Sequence, residues 1–290
     1  MRFKIFLAFI ALQIVAITNP SMGGEPELTK PKSFKNQFYI YWGYNRGWYT
    51  DSDIQFQGQD YDFTLSAVKA KDRQSSLAAD PYLHVDELTI PQTNFRVGYF
   101  FKDHWNISIG DDHMKYVMVQ DQTVKINGYI KNTATDYNHV YNQDDIVLAK
   151  EFLMFEHTDG LNYINVELRR MDNLLQFGKF SKANIDINLT EGIGTGILFP
   201  RTNTTLLGME RHDDFHVSGF GFSGMFGINI MFWDHIFIQS ELKAGYINMP
   251  DIKTTYSDAD KASQQFFFTQ ANILIGAKFR LFKTKAEKAK

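Results

Sequence analysis

The sequence predicts an all-β protein, a closed antiparallel up-and-down β-barrel that crosses a membrane. Three observations predict it. Apolar residues alternate with glycine and polar residues over long segments, long and short connections alternate between those segments, and the N-terminus has an apolar stretch typical of an exported protein. Alternation with a period of two indicates a β-strand with two different faces. Eight such segments occur, so we expect eight strands.

The clearest alternation lies in the C-terminal part of the chain, in the segments 216–232, 235–249 and 266–282. In the first of them the even positions from Phe220 to Phe232 are mostly bulky and apolar, whereas the odd positions are mostly glycine, serine and asparagine. The segments are about fifteen residues long, whereas a soluble strand usually has about five or six residues and a tilted membrane strand about nine to eleven. We therefore expect the apolar face to contact lipid and the polar face to line the barrel.

Five further strands are predicted upstream of these three. They are residues 37–49, 94–101, 105–119, 161–175 and 185–199. In 105–119, Asp111 falls on the apolar face, which a β-bulge or emergence from the membrane there would explain. The connections between the eight strands are alternately long and short, which is typical of a barrel with long outer loops, short periplasmic turns and both termini on the periplasmic side. The long or polar connections are 50–91, 120–160, 200–214 and 250–265. Within the first two, 53–65 is expected to form a hairpin and 124–130 a protruding strand, and the barrel would have ten or twelve strands if these segments entered the membrane.

The N-terminal residues 1–24 have the composition of a secretory signal peptide, because Arg2 and Lys4 precede an apolar core over residues 5–17. Residues 25–35 are charged and contain two prolines, so we expect a short periplasmic lead-in. The other predicted units are the barrel domain, 36–282, and a charged C-terminal tail, 283–290.

Composition narrows the classes of function. The chain has 290 residues and a formal net charge of −3, and with no recognised nucleic-acid motif it is not expected to bind nucleic acid. The mean hydropathy of −0.30 is compatible with a membrane barrel, in which only every second strand residue is apolar. The chain has no cysteine, which excludes structural disulfides and a lipid-modified cysteine and suits a bacterial envelope protein.

Three stretches carry a resemblance to a known class: FYIYWGYNRGWY (38–49), NFRVGYFFKDHWNISIG (94–110) and FIQSELKAGYINM (237–249). With them the chain resembles the small outer-membrane β-barrels of Gram-negative bacteria, the OmpA membrane domain and OmpX class, and more narrowly the uncharacterised outer-membrane β-barrel proteins of Bacteroidota. The resemblance covers essentially the whole mature chain and includes no catalytic signature. Many such barrels end on an aromatic residue that the assembly machinery reads, whereas Phe282 is followed by a tail.

The resemblance implies a porin-like or OmpA-like protein in the outer membrane of a Gram-negative bacterium. Its implied partners are outer-membrane lipid and lipopolysaccharide, and the barrel-assembly machinery during insertion. No cofactor is expected.

Charged residues on the predicted inner face are expected to form a structural salt-bridge core. The predicted interior charges are Arg96, Asp112, Glu167, Arg169, Asp186, Glu241, Lys243, Lys278 and Arg280, five cations and four anions. An eight-stranded barrel leaves an interior only wide enough for side chains to fill, and an unpaired charge there costs several kcal/mol, roughly. The alternative interpretation is a gated ion path along the same charges.

Aromatic residues near the predicted strand ends are expected to form girdles at the membrane interfaces. They are Trp42, Trp48, Tyr99, Trp105, Trp233 and Tyr246. Trp105 and Trp233 both follow short turns, which favours the periplasmic girdle for these two.

Two enzyme types known on small outer-membrane barrels, a lipid A palmitoyltransferase and a lipid A deacylase, use His with Ser and an acidic residue. Weak candidates for such groups are His216 with Ser218, which would place a base next to a nucleophile, and His113 beside two aspartates. Alternation puts His216 on the lipid-facing side near a loop. A histidine beside aspartate in a loop is usually polar surface, so neither histidine is expected to be catalytic. Metal binding around His212 is chemically possible, but no metal site is expected.

The leading functional hypothesis is a non-enzymatic outer-membrane barrel whose long extracellular loops serve surface binding, adhesion or envelope integrity. The sequence does not identify the ligand of those loops. The alternatives are a lipid A acyl hydrolase or acyltransferase, a narrow pore, and a soluble lipocalin-like binder.

Overall fold

A computed structural model describes residues 33–73, 92–157, 160–180 and 183–281. The predicted signal peptide, most of the lead-in and the C-terminal tail lie outside these described residues. No helix among the described residues is long and apolar enough to span a membrane. The strands are β1 Phe38–Tyr49, β2 Ser52–Gln57, β3 Tyr61–Val68, β4 Ala70–Lys71, β5 Thr93–Phe100, β6 Trp105–Asp112, β7 Tyr116–Met118, β8 Thr123–Ile130, β9 His139–Val147, β10 Leu153–His157, β11 Tyr163–Phe180, β12 Ala183–Leu198, β13 Arg201–Leu206, β14 His212–Phe215, β15 Gly219–Phe232, β16 Ile236–Lys253 and β17 Lys261–Phe279.

Eight of these strands close into a ring. The order around the ring is β1, β5, β6, β11, β12, β15, β16 and β17. The last strand, β17, pairs with β1 from Phe38 opposite Phe279 to Tyr49 opposite Phe268, which closes the sheet on itself. Every neighbouring pair is antiparallel. The prediction of a closed antiparallel β-barrel is confirmed.

The ring strands have a polar inner face and an apolar outer face. On β15, for example, Phe222 and Phe226 are 54% and 58% exposed, whereas Ser223 and Asn229 between and beyond them are buried. The same alternation continues around the ring, with exposed apolar side chains such as Ile107, Ile109, Ile193, Ile238, Ile273 and Ile275. A soluble barrel would hide its apolar face, so this arrangement is that of a transmembrane barrel.

The two ends of the barrel differ. The end that holds the start of β1 and the end of β17, named here the turn end, has short connections between β5 and β6, between β11 and β12, and between β15 and β16. Trp233 and Asp234 in the last of these have positive φ angles of 52° and 68°, the backbone that two-residue hairpins favour because it matches the twist of the strands. The long connections all leave from the opposite end.

The long connections form strands of their own. The outer part of β17 pairs with β2, and the sheet continues through β3 and β8 to β9. A second sheet has the order β14, β13, β10, β7, β4. We name these two strand groups together the cap. The hairpin over 53–65 and the strand over 124–130 correspond to β2–β3 and β8, and both lie in the cap.

The cap has its own hydrophobic core, which joins both of its sheets. Phe56 of β2 lies 5.7 Å from Phe155 of β10 between ring centroids, and Phe63 of β3 lies 5.7 Å from Phe152. Inward-facing residues of the barrel strands next to the cap belong to the same cluster. They are Tyr163, Leu198, Ile247, Phe266 and Phe268, among others. The cap is therefore packed onto the mouth of the barrel and continuous with its interior.

Three predicted boundaries are wrong. The strand predicted over 105–119 ends at Asp112, and after a short turn β7 joins the second sheet, because Met114 and Tyr116 are fully buried in the cap core. The segment predicted as a loop over 200–214 forms the hairpin of β13 and β14. The loop predicted over 250–265 is shorter, since β16 runs to Lys253 and β17 begins at Lys261.

Replacing Phe155 by Ala is expected to destabilise the cap without opening the barrel. Phe155 is 2% exposed in the cap core, and a buried Phe→Ala change costs about 3–5 kcal/mol. Limited proteolysis of the folded protein in detergent should show faster cleavage within the cap, while the unboiled protein still migrates as a compact barrel on a gel. The control is Val140→Ala, at a side chain that is 75% exposed. Cleavage as slow as in the wild type would contradict a stabilising role of Phe155 in the core of the cap.

Candidate functional site

The barrel interior holds six ionisable side chains that contact one another, named here the interior charge network. They are Arg96 of β5, Asp112 of β6, Glu167 and Arg169 of β11, and Glu241 and Lys243 of β16. Each side chain is at most 2% exposed. The network contains three cations and three anions, so its formal charge is zero.

Glu167 lies at the centre of the network. Its Oε1 atom is 3.1 Å from Nη2 of Arg96 and 2.7 Å from Nζ of Lys243. Its Oε2 atom accepts a hydrogen bond from Nε of Arg169. One carboxylate therefore contacts all three cations.

The other two carboxylates complete the pairing. Glu241 accepts from Nη1 of Arg169 at 2.9 Å, and Asp112 accepts from Nζ of Lys243 at 2.5 Å. Asp112 also lies 3.8 Å from Nη2 of Arg96. Each cation thus has two carboxylates within 4 Å, the arrangement that offsets the large desolvation cost of buried charges.

Uncharged side chains add further hydrogen bonds to the network. The hydroxyl of Tyr41 accepts from Nε of Arg96 at 2.9 Å and from Nη2 of Arg169 at 2.8 Å. Asn165 accepts from Arg96 at 2.6 Å and donates to Asp112 at 3.0 Å. Neither residue was among the predicted site residues, although the alternation that places both on the inner face was a usable signal.

Glycines on β12 make room for the network. A Cβ atom added to Gly194 would lie 2.6 Å from Cγ of Glu167, and one added to Gly192 would lie 2.8 Å from Cγ of Arg169. These distances are too short for carbon atoms in contact. The glycine-rich inner face of β12 is therefore explained by the close approach of the charged side chains on the neighbouring strand β11.

The turn end of the interior is filled by apolar side chains. Phe34, which precedes β1, is 1% exposed and lies 5.3 Å from Phe100 between ring centroids. Nζ of Lys278 lies over the Phe34 ring at 4.4 Å. A cavity of about 10 Å³ beside Tyr39 and Arg169 has room for about one water molecule.

Three of the predicted interior charges lie outside the network. Lys278 is buried beside Phe34 at the turn end. Asp186 is buried near the same end, where β12 places it opposite Met231. Arg280 was predicted to face inward, but β17 ends at Phe279 and Arg280 is exposed. Because Arg280 lies beyond the end of β17, it does not line the barrel interior, and the prediction for this residue is wrong.

The predicted interface aromatics lie on the outer face. Trp42, however, does not have the predicted position near a strand end. Trp105 and Trp233, 37% and 55% exposed, lie at the turn end, and Trp48, 48% exposed, lies at the cap end. Tyr99 lies near the turn end of β5. Tyr246 lies where the ring meets the cap, opposite Phe222 and Phe267, although β16 itself continues to Lys253. Trp42 does not lie at a strand end. It is opposite Phe95 and Ile275, inside the paired part of β1.

The weak catalytic candidates are not arranged for nucleophilic catalysis. Nε2 of His216 lies 3.0 Å from Asp251, a residue that sequence reasoning missed. The hydroxyl of Ser218 donates to the backbone oxygen of His216, not to its ring. His113 is buried, with Nδ1 at 2.7 Å from Oδ1 of Asn162. A nucleophile needs its base within hydrogen-bond reach. The contacts described above pair the rings with Asn162 and Asp251, and the Ser218 hydroxyl with a backbone oxygen.

Other histidines of the cap have structural contacts. Burial lowers the pKa of His157 to about 3, which keeps its ring neutral, and Nδ1 lies 2.9 Å from the Thr202 hydroxyl. Nδ1 of His212 lies 3.2 Å from the backbone oxygen of the same Thr202. In the part of the chain that the structure describes, no group of three or more His, Asp or Glu side chains is placed to hold a metal ion.

The connection between β8 and β9, residues 131–138, is an exposed or half-buried turn of the cap, named here the tip. Asn138 orders it. Its amide donates to the backbone oxygens of Thr133 and Thr135 at 2.8 and 2.9 Å, and its Oδ1 accepts from the Thr133 backbone at 2.9 Å. Tyr137 packs on Phe152 of the cap core, with 4.9 Å between ring centroids. The tip therefore has a defined conformation.

Comparison with known proteins finds structural likeness only. Among solved structures, the chain is similar to the outer membrane protein OprG from Pseudomonas aeruginosa, at 11% identity over 86% of this chain and 98% of that chain, with a TM-score of 0.33. It is similar to Neisserial surface protein A, at 8% identity over 84% and 97%, with a TM-score of 0.27. It is also similar to Ail, the attachment invasion locus protein of Yersinia pestis, at 8% identity over 83% and 99%, with a TM-score of 0.23.

No protein-family model matches the chain, and no curated protein matches it. The identities and TM-scores above are too low to transfer any activity of those proteins to this one. Conclusions about function therefore depend on the geometry described here.

Replacing Glu167 by Gln is expected to destabilise the barrel strongly. The change keeps the shape but leaves three buried cations with two anions, and breaking a buried ion pair in this way costs about 3–5 kcal/mol. Urea unfolding of the protein in detergent measures the loss. The control is Glu151→Gln, at an exposed residue.

A second variant separates charge from packing. Glu167→Gln combined with Lys243→Gln restores equal numbers of cations and anions, so the double variant is expected to lose less stability than the sum of the two single variants. Equal stability of Glu167→Gln and the control, or strict additivity of the pair, would contradict the described network.

Proposed function

We propose that this protein is a non-enzymatic integral outer-membrane protein of a Gram-negative bacterium, in which a filled barrel anchors a folded cap that binds a partner outside the cell. The observation that carries the proposal is the contrast between the barrel interior and the cap. The barrel interior is closed by the interior charge network, whereas the residues that connect the strands at one end form a packed domain with its own core.

The outer surface supports a membrane location. Exposed Ile and Phe side chains surround the ring, and tryptophans lie near both of its ends. This combination of an apolar band with aromatic girdles is typical of transmembrane β-barrels.

The distribution of connections supports an orientation with the cap outside the cell. Outer-membrane barrels have short turns on the periplasmic side and long connections on the extracellular side. Here the three short turns share the end that holds the start of β1, and the whole cap lies at the other end.

The interior disfavours a pore. Side chains of the interior charge network contact one another across the barrel, from β5 to β11 and from β11 to β16. Phe34 and Phe100 fill the space towards the turn end. An ion would have to break several buried ion pairs to pass, which costs several kcal/mol for each uncompensated charge, roughly.

The tip is the part of the cap that we propose as the binding surface. Four hydrogen bonds of Asn138 hold it in one conformation. Exposed Lys131, Asp136 and His139 project from it or beside it. A preorganised segment loses less conformational entropy on binding than a flexible loop does, so an ordered projection of this kind favours recognition of another molecule.

Shortening the tip tests the proposal. Ile130 and His139 are paired across the hairpin, so residues 131–138 can be replaced by the two-residue turn Asn-Gly, which suits a tight hairpin. Cells with the wild type, the shortened variant or no protein are compared for binding to immobilised matrix proteins, serum proteins and polysaccharides. We expect the wild type to bind at least one of these materials, and the shortened variant to bind it about as weakly as the deletion strain.

The control for this comparison is Lys102→Ala, at an exposed turn-end residue, which should bind like the wild type. Unboiled samples on gels verify that each variant still forms a barrel. Wild-type binding and wild-type envelope integrity in the shortened strain would overturn the proposal.

A further inference from the structure

Charged side chains of neighbouring strands meet on the apolar outer face of the barrel on β11 and β12, apart from the single charges Arg46 of β1 and Asp111 of β6. Arg170 of β11 lies directly opposite Glu191 of β12 in the strand register, and on its other side it lies opposite Trp105 of β6. Asp172 follows two residues later on the same face of β11. Glu191 is exposed, and the Arg170 side chain is 43% exposed.

The neighbours of Glu191 on the outer face are apolar. Phe226, opposite Glu191 on β15, is 58% exposed, and Ile193, the next outward residue along β12, is 69% exposed. Glu191 is also the ninth residue of a 16-residue strand, so it lies near the middle of β12. A charge on the lipid face near the middle of a barrel wall is destabilising.

The pairing within one copy is incomplete. Asp172 accepts from Nε and Nη2 of Arg170 at 2.6 and 3.0 Å. Nη1 of Arg170 has no hydrogen-bond partner among the residues that the structure describes, and the guanidinium lies over the Trp105 ring at 5.8 Å. Among the same residues, Arg170 forms an ion pair within 4 Å with Asp172 and not with Glu191. The cluster therefore keeps an unused donor beside an unneutralised carboxylate, both on the outer face.

We propose that this face binds a second copy of the same chain within the membrane, with Glu191 of each copy accepting a hydrogen bond from Nη1 of the partner's Arg170. Two copies inserted in the same direction are related by a two-fold axis along the membrane normal. An axis between β11 and β12 keeps each residue at its depth and exchanges left and right, so it places Arg170 against the partner's Glu191. A two-fold interface must be self-complementary in this way.

The membrane favours this kind of contact. Lipid already covers apolar side chains, so association in a membrane depends on packing and on polar contacts such as hydrogen bonds. The amine of a lipid headgroup lies at the membrane surface, whereas Glu191 lies near the middle of its strand. A second copy presents its Arg170 at about the depth of Glu191, because the two residues are opposite each other in the strand register.

Disulfide cross-linking tests the interface directly, because the chain has no cysteine of its own. Ile193→Cys places a thiol on the outer face beside the proposed axis. The control is Ile275→Cys on β17, a residue that is 55% exposed and lies on the opposite side of the ring. After oxidation of native membranes, we expect a disulfide-linked dimer for Ile193→Cys and none for Ile275→Cys. No dimer for Ile193→Cys, or equal dimer for both, would overturn the proposal.

A charge cycle tests the contact itself. In the Ile193→Cys background, Glu191→Gln and Arg170→Gln are each expected to weaken association about a hundredfold, because each substitution removes both symmetry-related contacts and one charge-assisted hydrogen bond is worth about tenfold. The variant with both changes should associate about as weakly as either one, because both remove the same contact. Gel migration without boiling verifies that each barrel is folded. Association unchanged by either substitution would overturn the proposed pairing.

Discussion

The structure depends on the requirement that the buried charges of a narrow barrel neutralise one another. Eight strands enclose a space that only side chains can fill, and the inner face of this barrel supplies three cations and three anions. Glu167 satisfies most of the requirement, since it contacts all three cations. The glycines of β12 follow from the same requirement, because larger side chains there would collide with Glu167 and Arg169.

The character of the inner face changes along the barrel axis, and this change connects the barrel with the cap. In the middle the inner face is ionic, whereas Phe34, Tyr39 and Phe100 fill it at the turn end. At the other end Tyr163 and Phe268 turn inward and join the hydrophobic core of the cap. The cap therefore rests on an apolar platform that the barrel strands themselves provide. A folded domain held in this way presents a fixed surface to its surroundings.

The periodicity of the sequence predicts the barrel well, because side-chain alternation in a strand is a local property. It places Arg96, Glu167 and Lys243 on the inner face, and the structure brings these three into contact. It fails at strand ends, where the chain leaves the sheet for tertiary reasons. The prediction for 105–119 continued past Asp112, whereas Met114 and Tyr116 beyond it pack in the core of the cap.

Contacts between distant residues are the part that the sequence does not reveal. The pairing of β10 with β7 and β13, and the position of Asp251 beside His216, depend on strand registers that one sequence does not encode locally. The pairing of Arg170 with Glu191 is another contact of this kind. In the sequence, Glu191 is a single charged residue among the apolar outward positions of β12. Its position is explained only by the strand register, which places it opposite Arg170.

The most direct test of this account is the labelling of single cysteines in intact cells by a maleimide that does not cross the outer membrane. Asp136→Cys in the tip and Lys102→Cys at the turn end are both exposed positions in a chain without other cysteines. A filled barrel that holds its cap outside the cell predicts labelling of Asp136→Cys in intact cells, and labelling of Lys102→Cys only after the outer membrane is permeabilised. The reverse pattern, or equal labelling of both in intact cells, would contradict it.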